Sequence, residues 1–290
     1  MVTQPAAVAA RAADIDQLDA DVAECTACPR LVAWREEVAR TKRAAFADQT
    51  YWGRPVPGFG PADAALAIVG LAPAAHGANR TGRMFTGDRS GDFLYSALYD
   101  VGLASQPTAT SADDGLELFG VRITAPVHCA PPANKPTPVE RDTCRPWLAR
   151  ELELLAPTLR AVVVLGAFGW QALLPVLSDA GWHIPRPRPR FGHAAHHAVS
   201  GTQNAVSDVP DAVSDVPDAV SDVPDAVSDV PDAVSDVPDA MSASPDTLHL
   251  FGCFHPSQQN TFTGRLTPRM LRDVLASAAS AARLPVRNVT

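Results

Sequence analysis

Four short apolar segments, each followed by a segment with helical spacing, limit most strongly how this chain can fold. The apolar segments are AALAIV, GVRITAPVHC, AVVVLG and LHLFGCF, at residues 64–69, 120–129, 161–166 and 248–254. The segments with helical spacing follow them at residues 90–102, 139–155, 167–177 and 268–283. Buried strands that alternate with helices in this way predict an α/β fold with a doubly wound parallel sheet.

One segment differs from the rest of the chain in composition. AVSDVPD occurs five times in succession from Ala205, and the degenerate AMSASPD follows it. A period of seven is typical of coiled coils, but a proline in every heptad prevents a continuous helix. Its Asp, Ser and Pro content buries too little apolar surface to offset chain entropy. We therefore predict one domain over residues 1–290, with a disordered acidic insertion at about residues 200–246 before the last strand.

The formal net charge of −8 reflects this repeat more than the folded part of the chain. The repeat holds 11 of the 32 acidic residues and no Lys or Arg, so 24 basic and 21 acidic residues remain elsewhere, a net charge of +3. A mildly basic domain permits a polyanionic partner without requiring one. Because no apolar run reaches membrane-spanning length and no signal-peptide pattern begins the chain, we expect a soluble, cytoplasmic protein.

The five cysteines argue against a disulfide framework and for a metal site or catalysis. Cys25 and Cys28 form a CxxC pair near the end of the first predicted helix, and Cys129 and Cys144 flank a proline-rich loop. Two close and two distant ligands can converge on one site. By ligand count four thiolates suit zinc and a [4Fe–4S] cluster equally well, and buried free cysteines are the alternative. Cys253 lies within an apolar strand, where core packing is expected.

Two polar loops follow the first and the last predicted strands. GLAPAAHGANRTGRMFTGD occupies residues 70–88, with Ser90 as the predicted cap of the next helix, and HPSQQNTFTGRLTP occupies residues 255–268. Ligands of α/β proteins bind at the carboxyl ends of parallel strands, so we expect the two loops to form one site. The absence of GxSxG, Walker A and GxGxxG motifs argues against hydrolases of the nucleophile-elbow type, nucleoside triphosphatases and dehydrogenases.

These segments closely resemble the uracil-DNA glycosylase superfamily, and specifically its type-5 iron–sulfur branch. The resemblance rests on the loop of residues 70–88, on CAPPANKP, on HPSQQN followed by TGRLTP, and on the four cysteines. It covers the chain from Cys25 to Ala279, the repeat excepted. It implies a three-layer αβα sandwich around a short four-stranded parallel sheet, with a [4Fe–4S] cluster on the four cysteines. It also implies DNA as the partner, and we expect a monomer.

The implied activity is excision of uracil, and of hypoxanthine or other damaged bases, by hydrolysis of the N-glycosidic bond. The target nucleotide must leave the duplex before its glycosidic bond can be reached. The catalytic candidates are Asp88, His255 and Asn134. The base-binding candidates are Phe85, Ala72, Ala125 and Asn79. The DNA-backbone candidates are Arg80, Arg83, Ser257, Arg265 and Thr267.

The resemblance gives the best-defined roles to two of these residues. Phe85 matches the superfamily's stacking phenylalanine, with core packing as the alternative. His255 matches the histidine that hydrogen-bonds the base carbonyl and stabilises the negative charge on the departing base.

Two positions depart from the pattern of many relatives. Ala72 stands where they carry a water-activating Asp, and Ala125 stands where uracil-specific relatives carry an Asn that recognises the pyrimidine edge. Asp88, at the end of the same loop, is the candidate substitute for the missing acid. An ion pair with Arg83 or Arg89 is the alternative role for Asp88. The missing Asn favours a roomier pocket and a broader choice of bases.

The absence of an evident Schiff-base lysine in the matching motifs predicts a monofunctional glycosylase without lyase activity, Lys135 being the nearest challenger. A nucleic-acid-binding module with a structural metal cluster and no catalysis is the alternative from another class. A glycosylase that acts mainly on hypoxanthine or other damage is the second alternative.

Overall fold

The computed structural model describes residues 3–201 and 246–285. Its centre is one six-stranded sheet with the strand order β2-β1-β3-β6-β5-β4. The strands are β1 (Leu66–Val69), β2 (Val121–Thr124), β3 (Ala161–Leu165), β4 (Trp182–His183), β5 (His196–Gly201) and β6 (Thr247–Cys253). The helices of the described residues are α1 (Pro5–Ala9), α2 (Ile15–Ala23), α3 (Pro29–Thr41), α4 (Ala78–Thr81), α5 (Arg89–Asp100), α6 (Pro138–Leu155), α7 (Ala167–Asp179), α8 (Gln258–Phe262) and α9 (Pro268–Ala281). None of these helices has the length and apolar character that crossing a membrane requires.

The four strands β2, β1, β3 and β6 run parallel, which confirms the predicted α/β fold. Every residue of β1, β2 and β3 is buried, as expected for parallel strands that are covered on both faces. One face packs against α5 and α9, and the other packs against α6 and α7. The result is the predicted three-layer αβα sandwich.

The predicted number of four strands is wrong, because β5 and β4 extend the sheet to six. Both strands are antiparallel, and β5 pairs with the free edge of β6. Val199 is the buried residue of β5, whose neighbours are half-buried or exposed. A strand that buries so little has almost no hydrophobic pattern, so it forms only because β6 offers an unpaired edge.

The repeat lies between β5 and β6, which together form a hairpin. Ser200 pairs with Thr247, and the Gly201 amide donates to the Asp246 carbonyl at 3.0 Å. The insertion predicted at about residues 200–246 thus falls where β5 ends, at Gly201, and β6 begins, at Thr247. The predicted disorder concerns residues 202–245, which lie outside the described residues.

Three local boundaries also differ from the sequence-based predictions. The sequence predicts one helix from about Ile15 towards Arg40, but the structure has two, α2 and α3, because the chain breaks at residues 24–28 before Pro29 opens α3. The predicted strand over residues 120–129 stops at Thr124, and the remainder is loop. The cap of α5 is Asp88 and not Ser90.

Candidate functional site

A cavity of about 540 Å³ opens at the carboxyl edge of the parallel strands. Its wall comes from the loop after β1, the loop after β2 and the loop after β6, as expected for a ligand site of an α/β sheet. The sequence-predicted residues that line it are Ala72, Phe85, Asp88, Ala125, Asn134, His255 and Ser257. The structure thus brings together all three catalytic candidates.

The two carboxylate oxygens of Asp88 have different surroundings in this cavity. Oδ1 accepts hydrogen bonds from the amides of Ser90 and Gly91 at 2.9 and 3.0 Å and caps α5. Oδ2 lies close to the backbone of Gly77: a β-carbon added to Gly77 would be 2.0 Å from Oδ2. Burial raises the pKa of Asp88, and the two amide hydrogen bonds oppose this shift.

The alternative role of Asp88, an ion pair with a neighbouring arginine, does not occur. Arg83 Nη2 donates instead to Asp114 Oδ2 at 2.8 Å. The Arg89 guanidinium lies 4.9 Å from the ring of Phe262, a residue of α8 that is 68% exposed. Within residues 3–201 and 246–285 the Asp88 carboxylate therefore forms no ion pair: backbone amides hold it, and the charge of Arg80 acts on it from a greater distance.

His255 follows β6 and is half-buried in the opposite wall of the cavity. Its carbonyl accepts from Asn260 Nδ2 at 2.8 Å, which fixes the turn that begins α8. Burial lowers the pKa of His255 to about 4, so the imidazole is neutral near neutral pH. A neutral imidazole can donate one N–H to a ligand in the cavity.

Phe85 is fixed between two glycines and faces His255. Its ring centroid lies 5.9 Å from that of His255, at an interplanar angle of 32°. A Cβ on Gly70 would be 2.9 Å from the Phe85 ring, and a Cβ on Gly91 would be 1.7 Å from the Phe85 carbonyl oxygen. Phe85 itself has a φ of 52°, which non-glycine residues adopt only where the surroundings impose it. Phe85 also packs against the core, which was the alternative to base stacking; the stacking role stays a prediction.

Asn134 reaches the cavity from the proline-rich loop after β2. It is exposed at the end of a 3₁₀ turn, and both Ala133 and Asn134 have positive φ angles, 53° and 55°. Ala72 and Ala125 form apolar parts of the same wall. Since neither alanine carries a hydrogen-bonding side chain, the cavity has room where a larger polar residue would stand.

Three predicted contacts with base or DNA backbone need correction, because the side chains point into the protein. Asn79 is fully buried and donates to the Arg35 carbonyl at 3.2 Å. Arg80 is 8% exposed and forms hydrogen bonds with neighbouring loop residues. Arg83 is held by Asp114, as described above. Residue type alone did not reveal that this glycine-rich loop folds back on its own arginines.

The four cysteines nominated as metal ligands line one small cavity. Cys25 and Cys28 lie in the break between α2 and α3, while Cys129 lies in the loop after β2 and Cys144 on α6. Arg35 Nη1 donates to Cys129 Sγ at 3.0 Å, and the His128 amide donates to Cys144 Sγ at 3.4 Å. The fifth cysteine is buried in the main core, as predicted.

The residues around this cavity fit a group that is bound through sulfur. Three buried groups that line the cavity, Arg35 Nε, His128 Nε2 and Trp147 Nε1, have no hydrogen-bond partner among the residues that the structure describes. Such groups in a native fold need an explanation, and a bound cofactor is one. Burial raises the pKa of Cys28 and Cys129 to about 11, so a bound cation is needed to hold them as thiolates. Within residues 3–201 and 246–285, no three His, Cys, Asp or Glu side chains are grouped to hold a single metal ion.

Comparisons with known proteins agree with the geometry. The family model of the uracil DNA glycosylase superfamily matches residues 57–279. A type-5 uracil-DNA glycosylase of Mycobacterium tuberculosis is 48% identical over 271 residues, which cover 93% of this chain and 83% of that protein. Type-5 uracil-DNA glycosylases of Mycobacterium leprae and Thermus thermophilus are 47% and 42% identical, and the matches cover 92% and 90% of this chain and 95% and 94% of those proteins.

The chain belongs to the type-5 branch of the uracil-DNA glycosylase superfamily. The resemblance predicted from its motifs is thereby confirmed. In this glycosylase the three remaining backbone candidates occupy different places. Ser257 caps α8 at the cavity, Thr267 caps α9, and Arg265 is exposed with its guanidinium 4.4 Å from the Phe254 ring.

The glycosylase cavity also contains side chains that sequence reasoning did not nominate. They are Arg89, Ser90, Gln258 and Gln259. The two glutamines directly follow the HPS tripeptide, so their place in the motif was a usable signal. The sequence suggested Arg89 only as an ion-pair partner for Asp88. Its place in the cavity wall, near Phe262 of α8, depends on tertiary packing that the sequence does not show.

Proposed function

We propose that this protein is a DNA-repair enzyme that excises uracil from DNA by hydrolysing the N-glycosidic bond, and that it leaves an abasic site. The observation that carries this proposal is the single cavity in which Phe85, Asp88 and His255 meet. Relatives that match over nine-tenths of the chain are named type-5 uracil-DNA glycosylases. Action as a monomer in the cytoplasm belongs to the same proposal.

The cavity accepts a nucleotide that has been rotated out of the duplex. Leaving the stack costs the base a few kcal/mol, which contacts inside the pocket must offset. The fixed Phe85 ring offers a stacking face for the flipped base. Because Ala72 and Ala125 leave the wall apolar and open, the pocket also admits bases larger than uracil, hypoxanthine among them.

Cleavage of the C–N bond moves its electron pair onto the departing base. The N–H of neutral His255 donates to the base carbonyl, where this negative charge develops. The sugar acquires positive charge at the same time, and the Asp88 carboxylate stabilises it and orients the attacking water. Water bonds to the anomeric carbon and loses a proton, while the base leaves as a stabilised anion that is later protonated. Asn134 is placed to hold the water or the base edge.

The test of this function is a substrate panel on duplexes that contain uracil, hypoxanthine or alkylated bases. We expect abasic product from uracil, and measurable product from hypoxanthine because of the open wall. Borohydride is expected to trap no adduct at Lys135, since a monofunctional enzyme forms no Schiff base. If no duplex yields an abasic product while DNA is still bound, the non-catalytic binding module is the correct description. If hypoxanthine is processed far faster than uracil, the second alternative is correct.

We also propose that Cys25, Cys28, Cys129 and Cys144 hold a [4Fe–4S] cluster. Four cysteine thiolates are its usual ligand set, and N–H donors such as Arg35 Nη1 on Cys129 are typical of its surroundings. Bound there, the cluster supplies a structural crosslink between the α2–α3 break and α6. The cysteines and their donors therefore position the proline-rich loop that carries Asn134.

Purified protein is expected to show the broad visible absorbance of an iron–sulfur cluster, with about four irons per chain by metal analysis. Cys144→Ser is expected to lower iron content and the melting temperature, because one ligand and one crosslink are lost. Cys253→Ser is the matched control, since this buried cysteine lies in the main core and should leave the absorbance unchanged. Stoichiometric zinc in place of iron would contradict the proposal.

A further inference from the structure

The segment PRPRPRF, Pro185–Phe191, carries charge that the proposed site does not use. Arg186, Arg188 and Arg190 are exposed and form no ion pair with any residue that the structure describes. The chain contains no Asp or Glu between Asp179 and residue 201. We call these three side chains the arginine strip. It is a local excess of positive charge on an otherwise nearly neutral domain.

The strip is fixed to the rest of the protein and is not a loose tail. Pro189, between two of its arginines, is buried, and its carbonyl accepts from Trp170 Nε1 at 2.9 Å. The Phe191 ring packs against Trp170 at 6.0 Å and against Phe254 at 6.4 Å. The alternating prolines restrict the backbone, so less entropy is lost when the arginines bind a partner.

The same contacts join the strip to the wall of the cavity. Phe254 directly precedes His255, so the ring that packs on Phe191 is next in sequence to the catalytic histidine. The Phe254 ring also contacts a cation, because the Arg265 guanidinium lies 4.4 Å from it. Arg265 therefore adds one more positive charge at the aromatic contact that joins the strip to the cavity wall.

We propose that the arginine strip binds the phosphodiester backbone of duplex DNA beside the flipped nucleotide. The proposal rests on the proposed function and extends it, because it assigns the direction in which the duplex leaves the cavity. Guanidinium groups bind phosphate oxygens through paired N–H donors, and such contacts fix the register of a protein on DNA without recognising sequence. Each contact also releases condensed counterions, which makes the binding dependent on salt.

The experiment measures the affinity of the full chain for an undamaged duplex at several salt concentrations. Arg186→Gln, Arg188→Gln and Arg190→Gln are combined in one variant. Since each phosphate contact contributes about 0.9 to the slope of log K against log salt, the slope is expected to become shallower by about 2.7. The matched control combines Arg11→Gln, Arg160→Gln and Arg283→Gln, which removes the same charge elsewhere, and its slope is expected to remain near that of the unmodified protein.

A triple Arg→Lys variant of the strip keeps the charge and is expected to keep most of the slope. Equal slopes for the Gln variant and the unmodified protein would overturn the proposal, and so would an equal reduction in the control variant. The rate of uracil excision at saturating enzyme should not change, because the strip lies outside the cavity. If the unmodified protein excised no base but the Gln variant still showed the shallower salt dependence, the proposed function would be wrong and DNA binding by the strip would be supported.

Discussion

Replacement of His255 by alanine is expected to lower the rate of uracil excision at saturating DNA by about 10²–10³-fold. The histidine lies opposite Phe85 in the cavity, and burial lowers its pKa to about 4, so it is a neutral donor at working pH. The loss removes the hydrogen bond that stabilises the negative charge of the departing base. Single-turnover cleavage of a uracil-containing duplex measures the effect, with the affinity for that duplex measured separately.

A base that leaves more easily provides the internal check on this role. The effect of His255→Ala should be smaller on 5-fluorouracil, whose anion is intrinsically more stable and needs less help. His249→Ala is the matched control, because His249 lies near the start of β6, whereas His255 follows the end of that strand, and because His249 pairs with His196 outside the cavity. An unchanged rate in His255→Ala, or an equal loss for both bases, would contradict anion stabilisation.

Replacement of Asp88 by asparagine is expected to lower the excision rate by about 10²–10⁴-fold without loss of stability. Asparagine retains an oxygen that can accept from the amides of Ser90 and Gly91, so the cap of α5 persists while the negative charge is lost. Asp88→Ala should be equally inactive and less stable by about 1 kcal/mol, because it also loses the cap. Rates and thermal unfolding of the two variants separate catalysis from capping.

The pH dependence follows from the raised pKa of Asp88. Protonation of the carboxylate removes the active form, so the rate should fall with decreasing pH at a higher pH than an ordinary carboxyl of pKa 3.8 would give. For stability the sign is opposite: a carboxyl whose folded pKa is raised contributes stability at low pH that is lost as pH rises. Asp88→Asn should therefore be at least as stable as the unmodified protein near neutral pH. If the remaining activity of Asp88→Asn still fell at the same low pH as that of the unmodified protein, the fall would be due to another titrating group.

The sequence predicted the elements that bury apolar surface, and the structure confirms them. The segments at β1, β3 and β6 and the helices α5, α6, α7 and α9 have strong hydrophobic patterns, so their positions hold to within a few residues. β4 and β5 were missed because they are short and mostly exposed, and they exist only through pairing with β6. Pairing is a non-local interaction that leaves little trace in local composition.

Within the candidate site, what the sequence could predict and what it could not differ for the same physical reason. Motif and loop position identified Asp88, Asn134 and His255, because ligands of α/β proteins bind where parallel strands end. The motifs did not indicate which arginines face the solvent. Arg80 and Arg83 lie in a loop that turns inward and hold that loop together, whereas the arginine strip lies in a segment with no recognised motif.

The sequence by itself thus determined the parallel α/β core, the family and the catalytic candidates, since each follows from local pattern or residue identity. Tertiary structure alone decided the two additional antiparallel strands, the surroundings of the Asp88 carboxylate and the direction of each arginine. These depend on which surfaces meet after folding: the edge of β6, the backbone of Gly77 against Asp88, and Asp114 beside Arg83. Such contacts join residues that are distant in the chain, and their energies arise only when the core has formed.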